Sequence, residues 1–163
     1  MAAKSAKKPP AKPAPLFVKI SSTGKPLKPG AKTWAAFGVV GYRDRQGHGL
    51  MFMAKDLGRH AWEIAKEVIA ASILLGKSDW FMPDDMQGQL FLDRSRPYPR
   101  CYTEFYKGET GLMWVDKPVA SYSVDAWYVS LDGGGVYIGD RLYGGLAVGC
   151  RRVPPSQCSA LGI

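Results

Sequence analysis

Two histidines, three cysteines and one adjacent pair of carboxylates are the side chains of this 163-residue chain that could do chemistry or hold a metal. His48 and His60 stand twelve residues apart, and Cys101, Cys150 and Cys158 contain no Cys-x-x-Cys spacing, so no zinc-type ligand set groups. An odd trio of thiols also makes a poor disulfide scaffold. Free buried thiols are the preferred reading, with a Cys101–Cys150 bond and a leftover Cys158 as the alternative. His60 sits beside Trp62 with no acid or cysteine arranged to make it a base, and reads as a structural or surface histidine. Asp84 and Asp85 could share acid–base work, but a helix cap with a solvated neighbour explains them better. No Gly-x-Ser-x-Gly, P-loop or dinucleotide fingerprint occurs. Gly133-Gly134-Gly135 lies between two strand-like runs and is a turn rather than a phosphate cradle. The expectation is therefore no catalytic residue, no metal and no cofactor.

A recognition surface fits the composition better. Arg94, Arg96, Tyr98, Arg100, Tyr102, Tyr106, Tyr122, Asp140, Arg141 and Tyr143 fall in the loops between residues 93 and 125 and in the turn at 139–145. Tyrosine supplies rigid contact area with one polar tip and arginine supplies directional donors, and both are enriched at interfaces. The plainer reading is that half of these tyrosines merely pack their own loops. Trp34, Trp62, Trp80, Trp114 and Trp127 are assigned to the core.

The elements that must position these residues are bounded by length and charge. A 17.8 kDa chain with 46% hydrophobic residues can bury one ordinary core, and 19 Gly with 12 Pro favour many turns over a helical bundle. The longest apolar run falls short of the ~20 residues that a spanning helix needs, so no membrane insertion is expected. The formal charge of +8 is confined to one end: residues 1–32 carry eight Lys and no acid, whereas residues 33–163 carry 14 basic and 14 acidic side chains. A neutral body argues against specific nucleic-acid binding, which usually places its excess on the folded face. Residues 1–15, built from Ala, Lys, Pro and one Ser behind Met1, read as a disordered arm. Lys4, Lys7, Lys8 and Lys12 would act in assembly, or the arm would simply solubilise the chain. No apolar segment follows these lysines, so synthesis without a signal peptide is expected.

Residues 16–155 are expected to form one α+β domain, with a mobile tail over 156–163. Strands are predicted at 16–20, 34–42, 50–53, 111–115, 126–131, 136–138 and 146–153. The Asp132-Gly133-Gly134-Gly135 turn makes a hairpin of two of them. Trp62, Ala65, Ile69 and Ile73 form one apolar stripe and predict a helix over about 56–75, closed by Gly76. Asp84 or Asp85 is expected to cap a second, short helix ending near Leu92.

Gly49-Leu50-Met51-Phe52, the Trp62 helix with its alanines, and Gly76-Lys77-Ser78-Asp79-Trp80-Phe81-Met82-Pro83-Asp84 resemble three blocks of the Lcl-type C-terminal domain family (DUF1566). The family's blocks are a TGLMW start, a W-x-x-A helix and a G-x-x-D-W-R-L-P-T segment. Ala126-Trp127-Tyr128-Val129 with the glycine hairpin and Gly149-Cys150-Arg151-Arg152-Val153 is similar to the family's V-R-C-V-R close. The likeness spans about residues 33–153. Phe81 stands where the family has Arg, and Asp84 where it has Thr.

The resemblance implies a C-type-lectin-like fold: one long helix, one short helix and a small twisted antiparallel sheet that carry long loops. The sugar-binding Glu-Pro-Asn and Trp-Asn-Asp triplets of the wider fold are missing, so calcium-dependent lectin activity is not implied. Members occur in bacterial surface proteins and in phages. With the lysine-rich arm, the expectation is a noncatalytic phage virion component, made in the host cytoplasm and then carried in the virion. It would serve as capsid or tail decoration or as a receptor binder, meeting a neighbouring virion protein or a host surface protein or glycan. A homo-oligomer, with a trimer as the guess, would suit it. The alternatives are a bacterial surface adhesin and an enzyme of the formylglycine-generating type.

Overall fold

The computed structural model describes residues 17–93, 95, 100–101 and 111–163. The arm over 1–15 with Lys4, Lys7, Lys8 and Lys12, and the loop residues Arg94, Arg96, Tyr98, Tyr102 and Tyr106, lie outside the described residues.

The described chain is a mixed α+β structure with two sheets and three short helices. In chain order the first half runs β1 (Phe17–Ile20), β2 (Ala36–Val39), β3 (Gly49–Met53), β4 (Arg59–His60), α1 (Trp62–Ala70) and α2 (Asp85–Gly88), the last continued by a 3-10 turn at Gln89–Phe91. The second half runs β5 (Leu112–Pro118), β6 (Asp125–Ser130), β7 (Gly135–Asp140), β8 (Gly145–Leu146), β9 (Cys150–Val153) and α3 (Pro155–Leu161). One sheet has the order β1-β2-β3-β9 and the other β4-β8-β5-β6-β7. The single small antiparallel sheet of the expectation is thus two sheets, and the β5–β8 contact is parallel.

Strand alternation sorts the apolar side chains into two cores. Leu50 and Phe52 of β3 join Phe37, Phe91, Met113, Val115 and Val129 on one side. Met51 and Met53 join Trp62, Ile69, Trp80 and Trp114 on the other. Because successive side chains of a strand point to opposite faces, β3 and β5 each feed both cores, which is why all five residues of β3 are buried. The first core is centred on phenylalanines, with Phe52 and Phe91 at 4.5 Å and Phe17 and Phe37 at 5.1 Å between ring centroids.

The expected last strand over 146–153 is one extended run that changes sheets midway. Residues 145–146 pair with β4 and residues 150–153 with β3. Between them Met53 N–H donates to Gly149 O at 2.9 Å and Ala147 N–H to Gly58 O at 3.0 Å. Leu57 N–H donates to Ala147 O at 2.8 Å as well, so residues 54–56 are the ones that bulge from the ladder and break it into two strands.

Helix α1 is much shorter than its apolar stripe suggests. Trp62, Ala65 and Ile69 are buried as expected, but Ile73 is exposed. At the front, Gly58 takes φ +97° while Asp56 Oδ1 accepts its N–H at 2.8 Å. Residues 59–60 are then drawn into pairing with β8, so the helix cannot begin before Trp62. At the back, Ser72 Oγ donates to Ile69 O at 2.6 Å, and Leu75 and Gly76 at φ +58° and +66° form a turn of their own. Gly76 therefore shapes a turn beyond the helix rather than its cap. Asp84 does cap α2: its carboxylate accepts Gln87 N–H at 2.7 Å while Gln87 Oε1 accepts Asp84 N–H at 3.0 Å, a reciprocal capping box.

The C-terminal residues are not a mobile tail. Pro155 occupies the first turn of α3, where a missing N–H costs nothing, so the Pro-Pro pair starts a helix rather than ending the fold. Gly162 at φ +70° turns the chain so that Ile163 N–H donates to Cys158 O at 3.1 Å. The Ile163 side chain then seats on Gly38 of β2, so close that a methyl group there would collide with its Cγ2. Arg43 Nη2 donates to Ile163 O at 2.8 Å.

Three buried tryptophans donate their indole N–H groups to backbone carbonyls, Trp62 and Trp114 across distant segments and Trp80 within its own turn. Trp62 donates to Val115 O at 2.9 Å, Trp114 to His60 O at 2.8 Å, and Trp80 to Lys77 O at 3.1 Å. Trp127 departs from its assignment to the core. It is only partly buried, with the Lys117 ammonium 4.9 Å from the centre of its ring. Trp34 is likewise partly buried.

The Asp79 and Phe81 segment lies alongside β9. Phe81 and Cys150 exchange backbone hydrogen bonds at 2.8 Å, and Arg151 grips Asp79 with Nε at 2.9 Å and Nη2 at 3.0 Å. These guanidinium bonds, outweighing burial, hold the Asp79 carboxyl below its ordinary range. A carboxyl lowered in the folded state contributes stability above its unfolded pKa, near 4, and loses it as pH falls through the folded value. Because Asp79 is 58% exposed, screening reduces the benefit, whereas Arg151 is buried and would be left unpaired. Asp79→Asn is expected to cost about 1–2 kcal/mol at neutral pH. It should also flatten the fall in stability below pH ~4, read from urea unfolding at pH 7 and in acid.

Candidate binding surface

The register of β6 with β7 sets Asp125 opposite Asp140, so the turns at 119–124 and 141–144 leave the sheet at the same end. Asp140 shapes the second turn: its Oδ1 accepts Leu142 N–H at 2.9 Å and its carbonyl accepts Tyr143 N–H at 3.0 Å. The first turn is closed by Asp125 N–H donating to Tyr122 O at 3.1 Å.

Arg141 binds the two turns to each other and to α1. Its N–H donates to Val124 O and its Nε to Asp125 O, both at 2.9 Å. Its guanidinium lies 4.5 Å from the centre of the Trp62 ring and reaches Glu63 Oε1 at 3.4 Å. Its carbonyl accepts the Trp62 N–H at 2.8 Å at the start of α1. A guanidinium stacked on an indole and bonded at both ends is committed to the scaffold. Arg141 and Asp140, expected to contact a ligand, instead hold the turns in place.

The turns present four large apolar side chains outward, beside the exposed Ser121 and Ser123. Tyr122 is 64% exposed, Val124 63%, Leu142 81% and Tyr143 62%. Tyr122 and Tyr143 are thus both exposed, on turns at the same end of the sheet. Val124 and Leu142 were not anticipated. The signal for Leu142 was the Asp140-Arg141-Leu142 order, because an aspartate that caps the N–H two residues on forms a tight turn and drives the next side chain out. Arg100, assigned to the same surface, is elsewhere. Its N–H donates to Asp132 O at 3.1 Å, in the turn at the opposite end of the β6–β7 hairpin.

A cleft of about 450 Å³ lies on another part of the molecule, between Trp34, Met53, Leu57 and the Ser72–Leu74 segment, with Lys55 and Asp56 beside it. The Trp34 ring is covered on one face by Lys19 Nζ, 3.9 Å from its centre. The same ammonium donates to Ala31 O at 3.0 Å. No sequence feature pointed to this cleft.

The groups with reactive potential are engaged locally. Cys101, Cys150 and Cys158 are buried thiols. Burial, reinforced by the Asp84 charge, pushes the Cys150 thiol well up, so it stays protonated. His48 Nδ1 lies 3.1 Å from Asp44 Oδ2, and His60 Nε2 donates to Leu57 O at 2.8 Å. Burial raises the Asp44 pKa, but the backbone N–H and imidazole of His48, with Gln46 N–H, outweigh it and hold the carboxyl low. Among the described residues, no three His, Cys, Asp or Glu are grouped to hold a metal ion, and no helix is long and apolar enough to cross a membrane.

No protein-family model matches the chain, and no curated protein matches it.

Proposed function

We propose that this chain is a noncatalytic docking protein that engages a protein partner through the 119–124 and 141–144 turns. The observation that carries the reading is the set of four large apolar side chains, Tyr122, Val124, Leu142 and Tyr143, exposed together at one end of the sheet. They stand on turns immobilised by Arg141 and Asp140. Exposed apolar groups on a pre-set backbone lose little conformational entropy on binding, and tyrosine is among the commonest anchors of interfaces. Arg141, satisfied by Asp125 O and Glu63, brings no unpaired charge to the contact.

The setting we propose is a phage virion. The likeness of the Gly49, Trp62 and Gly76–Asp84 blocks to the Lcl-type family, with its lectin-like fold and phage members, supports it. So does a lysine-rich N-terminal stretch ahead of a neutral body. In that setting the partner is a neighbouring virion protein. Quantitative mass spectrometry of washed particles tests this: the chain should be present at a fixed copy number relative to the major capsid protein. Its loss on washing would remove the virion assignment and favour the alternative of a bacterial surface adhesin.

A further inference from the structure

β7 is an edge strand of its sheet, and no strand among the described residues covers its outer side. Arg141 N–H donates to Val124 O, and on the far side of β6 Leu131 N–H donates to Gly111 O. Backbone groups alternate in direction along a strand. Residues Gly135, Tyr137 and Gly139 therefore turn their N–H and C=O toward β6, while Val136, Ile138 and Asp140 turn theirs away. The Asp140 carbonyl is taken by Tyr143 N–H. This leaves the N–H and C=O of Val136 and Ile138 on an edge that no strand among the described residues covers. From Gly135 to Gly139 there is no lysine, proline or charge, the usual guards of an edge strand. Tyr137 and Ile138 point to opposite faces and are 49% and 45% exposed, so the edge is open on both sides.

Two further features select the occupant. Trp114, Tyr128 and Tyr137 lie in register across β5, β6 and β7, with ring centroids 6.1 Å and 5.9 Å apart, and the row ends at the edge with Tyr137 half covered. At the start of β7, the Arg100 side chain lies against Gly134, where an added methyl would come within 2.9 Å of its Cβ. At the other end stands Asp140.

We infer that two copies of this chain pair through β7, antiparallel, about a two-fold axis at Tyr137. Val136 of each copy then faces Ile138 of the other, and their outward groups exchange four hydrogen bonds. The two Tyr137 rings meet at the axis and join two aromatic rows into one. Asp140 of each copy falls opposite Gly134 of the other, beside a positive Arg100. A register centred on Ile138 would instead need the Asp140 carbonyl that Tyr143 already occupies. The surface is self-complementary in backbone, aromatic packing and charge, as an isologous contact requires. An edge of this length makes a small interface, so association is weak, in the micromolar range. This inference stands apart from the docking role proposed above.

Sedimentation velocity on the full chain, at concentrations up to about 100 μM, tests it. The wild type should shift reversibly from monomer to dimer. Tyr137→Glu and Tyr137→Lys each place like charges at the axis and should weaken association at least tenfold. Mixing the two should restore a dimer that dissociates in high salt. Ile138→Pro removes an outward N–H that the β6 ladder does not use, and should also abolish dimerisation. If that variant folds poorly, the Glu and Lys mixture still decides. A wild type that stays monomeric, a dimer indifferent to both Tyr137 changes, or a mixture that stays monomeric would overturn the inference.

Discussion

Trp114→Ala is expected to lower the unfolding free energy by about 3–5 kcal/mol, a large part of the 5–15 kcal/mol by which domains are usually stable. Trp114 is fully buried, and its ring stands edge-on to Tyr128 at 6.1 Å. The β8 backbone passes so close that a side chain at Gly145 would collide with Leu112 and the Trp114 indole. A cavity in that position cannot be filled by movement of its neighbours, because β8 is held between β4 and β5. Trp114→Phe isolates one component. It keeps most of the packing but loses the indole N–H to His60 O at 2.8 Å, for about 1–3 kcal/mol. Urea denaturation with fluorescence and circular dichroism measures both. Losses under 1 kcal/mol for the alanine variant would mean that the second core is not organised around this residue.

Leu142→Ser with Tyr143→Ser is expected to leave stability within about 0.5 kcal/mol, since both side chains are exposed. The same pair should weaken partner binding by roughly 100-fold, the effect of removing one or two interface anchors. Arg141→Ala should behave differently. It removes the stacking on Trp62 and the bond to Asp125 O, so it should lower both stability and binding. Incorporation of each variant into particles, scored beside its thermal midpoint, separates the two effects. A serine pair incorporated as well as wild type would remove the turns from the docking surface.

Much of the local structure was legible because local physics sets it. The Asp84 cap needs only Gln87 three residues on, and the β6–β7 hairpin needs only apolar runs around Asp132-Gly133-Gly134-Gly135. What the sequence hid depends on distant partners. The stripe of Trp62, Ala65 and Ile69 carries no sign that residues 59–60 pair with β8 and so delay the start of the helix to Trp62. Residues 146–153 read as one strand because nothing local records that residues 54–56 bulge away and split their ladder. Pro154-Pro155 carries two meanings, a stop and a helix start. Only the seat for Ile163 on Gly38 and Gly49 selects the second.

The candidate surface was half legible for the same reason. Tyr122 and Tyr143 are polar-tipped aromatics in turns, a pattern visible in any sequence. The commitment of Arg141 to Trp62, 79 positions earlier, and the arrival of Arg100 at the opposite end of the hairpin depend on strand register. Composition assigns such residues to a loop surface but not to a side of it.

Site-specific photo-crosslinking tests the docking account most directly. A benzophenone amino acid is placed at Leu142, and as a control at Ile73, equally exposed but beyond the far end of α1. Chains carrying it are irradiated during particle assembly and the adducts identified by mass spectrometry. The account predicts one discrete adduct from position 142, to a single virion protein, and none to that protein from position 73. No adduct at 142, or the same adduct from both positions, would contradict it.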